Sequence, residues 1–214
     1  MLLTLSNLHV LQVDAVPQLI TQFENGFSIK LTDEAKTIRD VLIQIEARLF
    51  QAYVKPVSTR LTTIIQNGIR SPSWEPSNGA RPRDASPYVY EALLALIVVH
   101  SQVSTTAAPL TSNILKYLQE QISLALIGAF KERSRYDLGA LMQATLDVEF
   151  LAQTLSNYTT EAASETQSKI YLSLDERTDN EARVKLQGEL PEMRSILKKL
   201  REGTKGELYV ISIS

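Results

Sequence analysis

Apolar residues recur along this chain at intervals of three and four, the spacing that gathers them on one face of an α-helix. Ile38, Leu42, Ile45 and Leu49 predict a helix opening at "LTDEAK", with Thr32 as its cap. Asp33 and Glu34 then occupy the first turn, where the helix dipole favours negative charge. That helix is expected to reach about Arg70, kinked near Pro56. "YVYEALLALIVVHSQVS" is apolar on nearly every side and predicts a buried helix. In the next segment Pro109 suits a first helical position, where its missing N–H costs nothing. Leu110, Ile114, Leu118, Ile122 and Ala125 then form one stripe. Further helices are expected from Tyr136 to Tyr158 and from about Glu161 to Glu176. The last should begin at "TDNE", where Thr178 and Glu181 have capping-box spacing. Its Leu186, Leu190, Met193, Leu197 and Leu200 alternate four and three as in a heptad seam, and Pro191 inside it should bend the helix or shift its start.

The one strand-like stretch is the final "ELYVISIS", so the fold class is all-α, with about seven amphipathic helices. Between Ser71 and Pro87 lie four of the eight prolines, together with Trp74. Proline removes backbone donors and biases its predecessor away from helix, so this is a loop or linker. The expected organisation is a helical segment over 1–70, a proline-rich linker over 71–87, a helical bundle over 88–205 and an atypical tail over 206–214. The N-terminal "MLLTLSNLHVLQV" lacks both a cationic start and a small-residue cleavage site, and reads as an amphipathic helix cut from a longer one.

Composition narrows the function classes. A formal charge of -2 offers no global basic field for nucleic acid. The absence of cysteine removes disulfides, thiolate metal sites and cysteine nucleophiles together, and fits a cytosolic protein. Uninterrupted apolar runs such as Ala92 to Val99 fall short of the ~20 residues a bilayer requires.

Candidate chemistry is sparse. Asp147 and Glu149 stand inside the apolar helix "YDLGALMQATLDVEFLAQTLSNYTT". Positions two apart point about 200° from each other on a helix, so the two carboxylates cannot share a substrate as acid and base. Both are expected to reach solvent or to pair with Lys or Arg of adjacent helices. No phosphate-binding glycine loop, HExxH or GxSxG motif occurs. The two histidines, His9 and His100, lie in different segments, and His100 is expected to be a core or cap residue. No catalytic, cofactor or metal residue is assigned, and neither a small-molecule substrate nor nucleic acid is expected. One surface feature stands out: Arg194, Lys198, Arg201 and Lys205 form a basic stripe, a candidate contact face for an anionic membrane or an acidic partner. Such a stripe also suits a solvated face near the negative end of the helix dipole.

Four stretches carry a resemblance. "LITQFENGFSIKLTDEAKTIRDVLIQIEARLFQAYVKP", "YVYEALLALIVVHSQVSTTAAPLTSNIL", "LGALMQATLDVEFLAQTLSNYTTEAASETQSKIYLSLDERTDNEAR" and "LQGELPEMRSILKKLREGTKGE" follow one another in this order. Over roughly Leu2 to Glu207 the chain resembles the C-terminal region of a fungal exocyst complex subunit, the one called component two in animals. The resemblance implies an elongated rod segment of stacked helical bundles, of the vesicle-tethering-complex type. It also implies a non-catalytic fragment without cofactor that tethers secretory vesicles to the plasma membrane in exocytosis, through contacts with other exocyst subunits. Its expected place is cytoplasmic, peripheral at sites of polarised secretion. The alternatives are a generic helical scaffold or adaptor, or a subunit of another vesicle-tethering complex. Two departures are expected from the family pattern. The family protein is much longer, and the immunoglobulin-like domain that binds a Ral GTPase in animal members has no counterpart here. The tail "LYVISIS" breaks the helical pattern and reads as an altered terminus, from alternative splicing or an incorrect gene model.

Overall fold

The computed structural model describes residues 1–76, 80–204 and 206. Among these residues the fold is all-α. Its helices are α1 (Leu2–Val10), α2 (Val16–Phe27), α3 (Thr32–Arg70), α4 (Pro87–Thr106), α5 (Thr111–Lys131), α6 (Leu138–Thr154), α7 (Glu161–Glu176) and α8 (Asn180–Thr204). A π-turn over Leu11–Ala15 joins α1 to α2 without leaving helical geometry, so the two make one continuous helix and the described residues hold seven separate α-helices. The only β-pairing in the described residues is an isolated parallel bridge between Tyr136 and Thr178. The strand-like "ELYVISIS" and the rest of the tail after Gly206 lie outside the described residues.

The chain forms two compact units: Met1–Val57 with Gln102–Thr111, and Ser58–Ser101 with Ser112–Ser214. The division thus falls within α3 and α4, and the proline-rich 71–87 segment belongs wholly to the second unit.

In the first unit α1 and α2 run antiparallel to α3. Ser28 adopts left-handed backbone angles (φ 52°, ψ 36°) and ends α2. Glu24 Oε1 then accepts from the Leu31 backbone N–H at 2.8 Å, which satisfies a donor at the entry to α3. At the other end His9 Nδ1 lies 3.6 Å from Glu46 Oε1. Thr32 is the first residue of α3 rather than a side-chain cap, and the helix runs to Arg70 with Pro56 inside it.

The second unit is built around α6. Twelve of its seventeen residues are buried, because helices pack on it from several sides rather than along one stripe. The stripe Leu110, Ile114, Leu118, Ile122 and Ala125 is buried as the periodicity predicts. Helix starts are fixed by side chains that accept orphan backbone N–H groups: Asp137 from Ala140 at 2.8 Å, Thr160 from Ala163 at 3.2 Å and Asp179 from Ala182 at 2.8 Å. The cap of α8 is therefore Asp179 and not Thr178. The Thr178 hydroxyl instead donates back to the Leu174 carbonyl at 2.7 Å, because the bridge with Tyr136 holds it at the end of α7. Pro191 sits inside α8 and does not displace its start.

By length and composition α4 is long and apolar enough to cross a membrane, which the uninterrupted runs alone did not suggest. In this fold its Val89, Ala92, Leu93, Leu96 and Val99 are at most 5% exposed and serve as core. His100, on the same helix, is buried as expected.

Candidate functional site

The polar centre of the second unit is the Asp147 carboxylate. Its side chain is fully buried, and four donors converge on it. Oδ1 accepts from the Ser86 backbone N–H at 2.8 Å and from Gln143 Nε2 at 3.0 Å. Oδ2 accepts from the Ser86 hydroxyl at 2.6 Å and from Trp74 Nε1 at 3.1 Å. The expectation that Asp147 reaches solvent or pairs with a cation is overturned. An amphipathic pattern assumes one packed face, and α6 is packed around most of its circumference.

Three of the four donors come from the proline-rich segment, which acts as a strap across the bundle. Trp74 lies near one end and Ser86 at the other, and both are at most 5% exposed. Trp74 packs against Phe130 and Tyr136 with ring centroids 5.9 and 6.4 Å away. The Arg133 guanidinium lies 5.2 Å from the Trp74 ring centre and 5.5 Å from that of Tyr136, and it pairs with Glu75. Gln143 Nε2 also donates to the Asp84 carbonyl at 3.1 Å, and Arg81 reaches Glu189 of α8 at 2.5 Å. Gly68 permits the close approach of α3 to the start of α4, since a Cβ there would fall 2.3 Å from Tyr88 Cβ.

Electrostatics follow from this burial. Desolvation lifts the Asp147 carboxyl above its usual value, and the hydrogen bonds from Ser86, Gln143 and Trp74 oppose the rise. The buried Tyr88 hydroxyl is pushed well up, first by desolvation and then by the charge of Asp147. Burial pushes Tyr136 up to about 12, against the lowering influence of Arg133 and Arg177.

Glu149 is engaged elsewhere. Its Oε1 accepts from the Tyr171 hydroxyl of α7 at 2.6 Å and its Oε2 from Gln153 Nε2 at 3.2 Å. The two carboxylates of α6 therefore serve separate contacts, one to the strap and one to α7, and do not face a common substrate. A cleft of about 640 Å³ adjoins the strap, with Arg60, Asn67, Trp74, Ser86 and Glu91 among its walls. Among the described residues, no group of three or more His, Asp or Glu has the placement to hold a metal ion.

The basic stripe of α8 is divided. Arg194 is exposed and borders a small cavity of about 260 Å³ beside Glu149 and Gln153 of α6. Arg201 Nη1 donates to Gln153 Oε1 at 3.2 Å. Lys198 points to solvent, 4.0 Å from Glu202. Lys205 lies outside the described residues. Sequence reasoning missed Trp74, Ser86 and Gln143 as partners of Asp147. The available signal was a lone tryptophan in a proline-rich loop, because a buried indole N–H demands an acceptor.

Comparison with known proteins places this arrangement. The family of exocyst complex component Sec5 matches residues 1–209, nearly the whole chain. The chain belongs to that family. Among its curated relatives, exocyst complex component 2 of Mus musculus is 25% identical over 134 residues, covering 63% of this chain and 14% of the relative. Exocyst complex component 2 of Homo sapiens is 25% identical over 119 residues, covering 56% of this chain and 13% of the relative. This Sec5-family chain thus spans about a seventh of the length of the relatives it matches. No solved structure matches it. The all-α architecture agrees with the fold class that the resemblance implied.

Proposed function

We propose that this chain is a non-catalytic part of an exocyst subunit, which holds secretory vesicles at the plasma membrane before fusion by binding other subunits. The reading rests on one observation, the family match across residues 1–209. It is supported by the way α6 uses its charges: the carboxylates that most invited a catalytic reading hold helices and strap together. The place of action is the cytoplasmic side of the plasma membrane at sites of polarised secretion. Arg194, Lys198 and Arg201, all exposed, are the proposed contact face for an anionic surface.

The test is affinity purification of the tagged chain from its own cells, with mass spectrometry of what co-purifies, beside the same experiment on a full-length family member. Recovery of other exocyst subunits with both supports the reading. Failure with both removes the assignment to a tether, and recovery with the full-length protein alone places the contacts outside this chain. For the basic face, Lys198→Glu with Arg201→Glu should reduce binding to anionic vesicles or to captured subunits, and unchanged binding would dismiss it.

A further inference from the structure

Serine is followed by proline at two places in this chain, Ser71-Pro72 and Ser86-Pro87, one at each end of the strap. The two serines have opposite surroundings. Ser86 is buried, and its hydroxyl donates to Asp147. Ser71 is partly exposed, and Pro72 and Ser73 beside it are exposed. It follows the last residue of α3, and its hydroxyl shares a hydrogen bond of 2.8 Å with that of Ser73. It also accepts the Ser73 backbone N–H at 3.4 Å. Among the described residues the Ser71 hydroxyl thus bonds only within its own turn, and it ties no helix to another.

We propose that Ser71 is a phosphorylation site for a proline-directed protein kinase, and that its phosphate loosens the Trp74 end of the strap. Proline lacks a backbone N–H, and a kinase of this class selects its acceptor by the proline that follows. In the transfer, Ser71 Oγ bonds to the γ-phosphorus of ATP and its proton passes to the base of the kinase. The bond from that phosphorus to the β–γ bridging oxygen breaks, and ADP leaves. What the phosphate then does follows from its surroundings. Ser71 borders a cavity of about 310 Å³ whose walls carry Arg70, Glu75, Glu132 and Arg133. Arg70 donates to Glu132 twice, from Nε to Oε2 at 2.8 Å and from Nη2 to Oε1 at 2.7 Å, and Arg133 pairs with Glu75. Two cations therefore balance two anions. A phosphoserine adds about 1.5–2 negative charges at pH 7. It does so beside the C-terminal end of α3, where the helix dipole is already negative. Guanidinium forks onto phosphate as it does onto carboxylate, so the new group competes with Glu75 and Glu132 for their partners. Arg133 is the sensitive member, because it also lies 5.2 Å from the Trp74 ring centre. Drawing it to Ser71 takes it off the indole and leaves Glu75 unpaired, and both of those residues belong to the strap.

The experiment treats the folded full chain with a purified proline-directed kinase and MgATP, and locates phosphate by mass spectrometry of its peptides. Ser71→Ala is treated beside it, and a synthetic Ser-Pro peptide confirms that the kinase is active. The expected result is phosphate on Ser71 and none on Ser86, with no uptake at this end of the strap by Ser71→Ala. Before treatment that variant should match the wild type in Trp74 emission and urea midpoint, since the lost hydroxyl bonds only to Ser73. The phosphorylated chain should show Trp74 emission shifted to the red and a lower urea midpoint. Both differences should narrow in high salt, which screens charges near the surface. A folded chain that takes no phosphate on Ser71 overturns the proposal. So does a phosphorylated chain with unchanged emission and midpoint, because the phosphate then leaves the strap in place. A loss of stability that salt does not reduce overturns it as well, since the charges of this cavity are then not its cause.

Discussion

Ser86 closes on Asp147 through two hydrogen bonds at once, its backbone N–H to Oδ1 at 2.8 Å and its hydroxyl to Oδ2 at 2.6 Å. With Trp74 Nε1 on Oδ2, one carboxylate holds both ends of the strap. A buried carboxylate is stable only when its lone pairs are satisfied, and here the strap supplies three of the four donors.

Replacing Asp147 by Ala removes the acceptor and strands those donors in the core. The expected loss is about 3 kcal/mol of unfolding free energy, in the range for breaking a buried charged network. Trp74 is the sole tryptophan, so its fluorescence reports the strap directly. Urea titration followed at that wavelength should show an earlier midpoint. An unchanged emission spectrum and midpoint would mean that the carboxylate does not hold the strap.

A pH dependence follows from the same group. Burial raises the Asp147 carboxyl above 3.8, so the folded protein binds this proton more tightly than the unfolded chain. The resulting stabilisation is complete below that value and is lost as pH rises through the folded value. Asp147→Asn has no such titration. Its stability deficit relative to wild type should therefore be greatest at the acid end and shrink as pH rises towards neutrality. Urea midpoints of both proteins across that range provide the check, and a deficit that widens with pH contradicts the raised carboxyl.

Two glycines should respond in opposite directions. Gly68→Ala places a methyl 2.3 Å from Tyr88 Cβ and 2.5 Å from its Cγ, so the start of α4 must shift away from α3. A cost of about 2–3 kcal/mol is expected from overpacking. Gly128, inside α5, has nothing within 4 Å of an added Cβ. Gly128→Ala should instead stabilise by about 0.5–1 kcal/mol through helix propensity. Thermal melts of the pair distinguish close packing from a general effect of removing glycine.

At the end of α2, Ser28 holds a left-handed backbone conformation that glycine adopts without steric cost. Ser28→Gly is expected to stabilise the turn by about 0.5–1 kcal/mol. Slower amide exchange in α2 and the first turn of α3 would register it. Faster exchange there would show that the serine side chain contributes more than the backbone strain costs.

The sequence by itself determined the helices. Periodicity of three and four is a local property, so the stripe Leu110 to Ala125 and the span Glu161–Glu176 were legible without a partner in view. Caps were partly legible, because a capping side chain acts within three residues; the choice of Asp179 over its neighbour Thr178 needed the bridge to Tyr136. The role of Asp147 was decided only by tertiary structure. Its partners Ser86 and Trp74 lie 61 and 73 residues away in sequence, beyond the reach of any local pattern. The stripe on α3 divided in the same way. Its spacing was visible, but only packing left Leu42 and Leu49 partly covered and Ile38 and Ile45 exposed. A helix fixes which residues share a face; which face is covered depends on where the rest of the chain comes to lie.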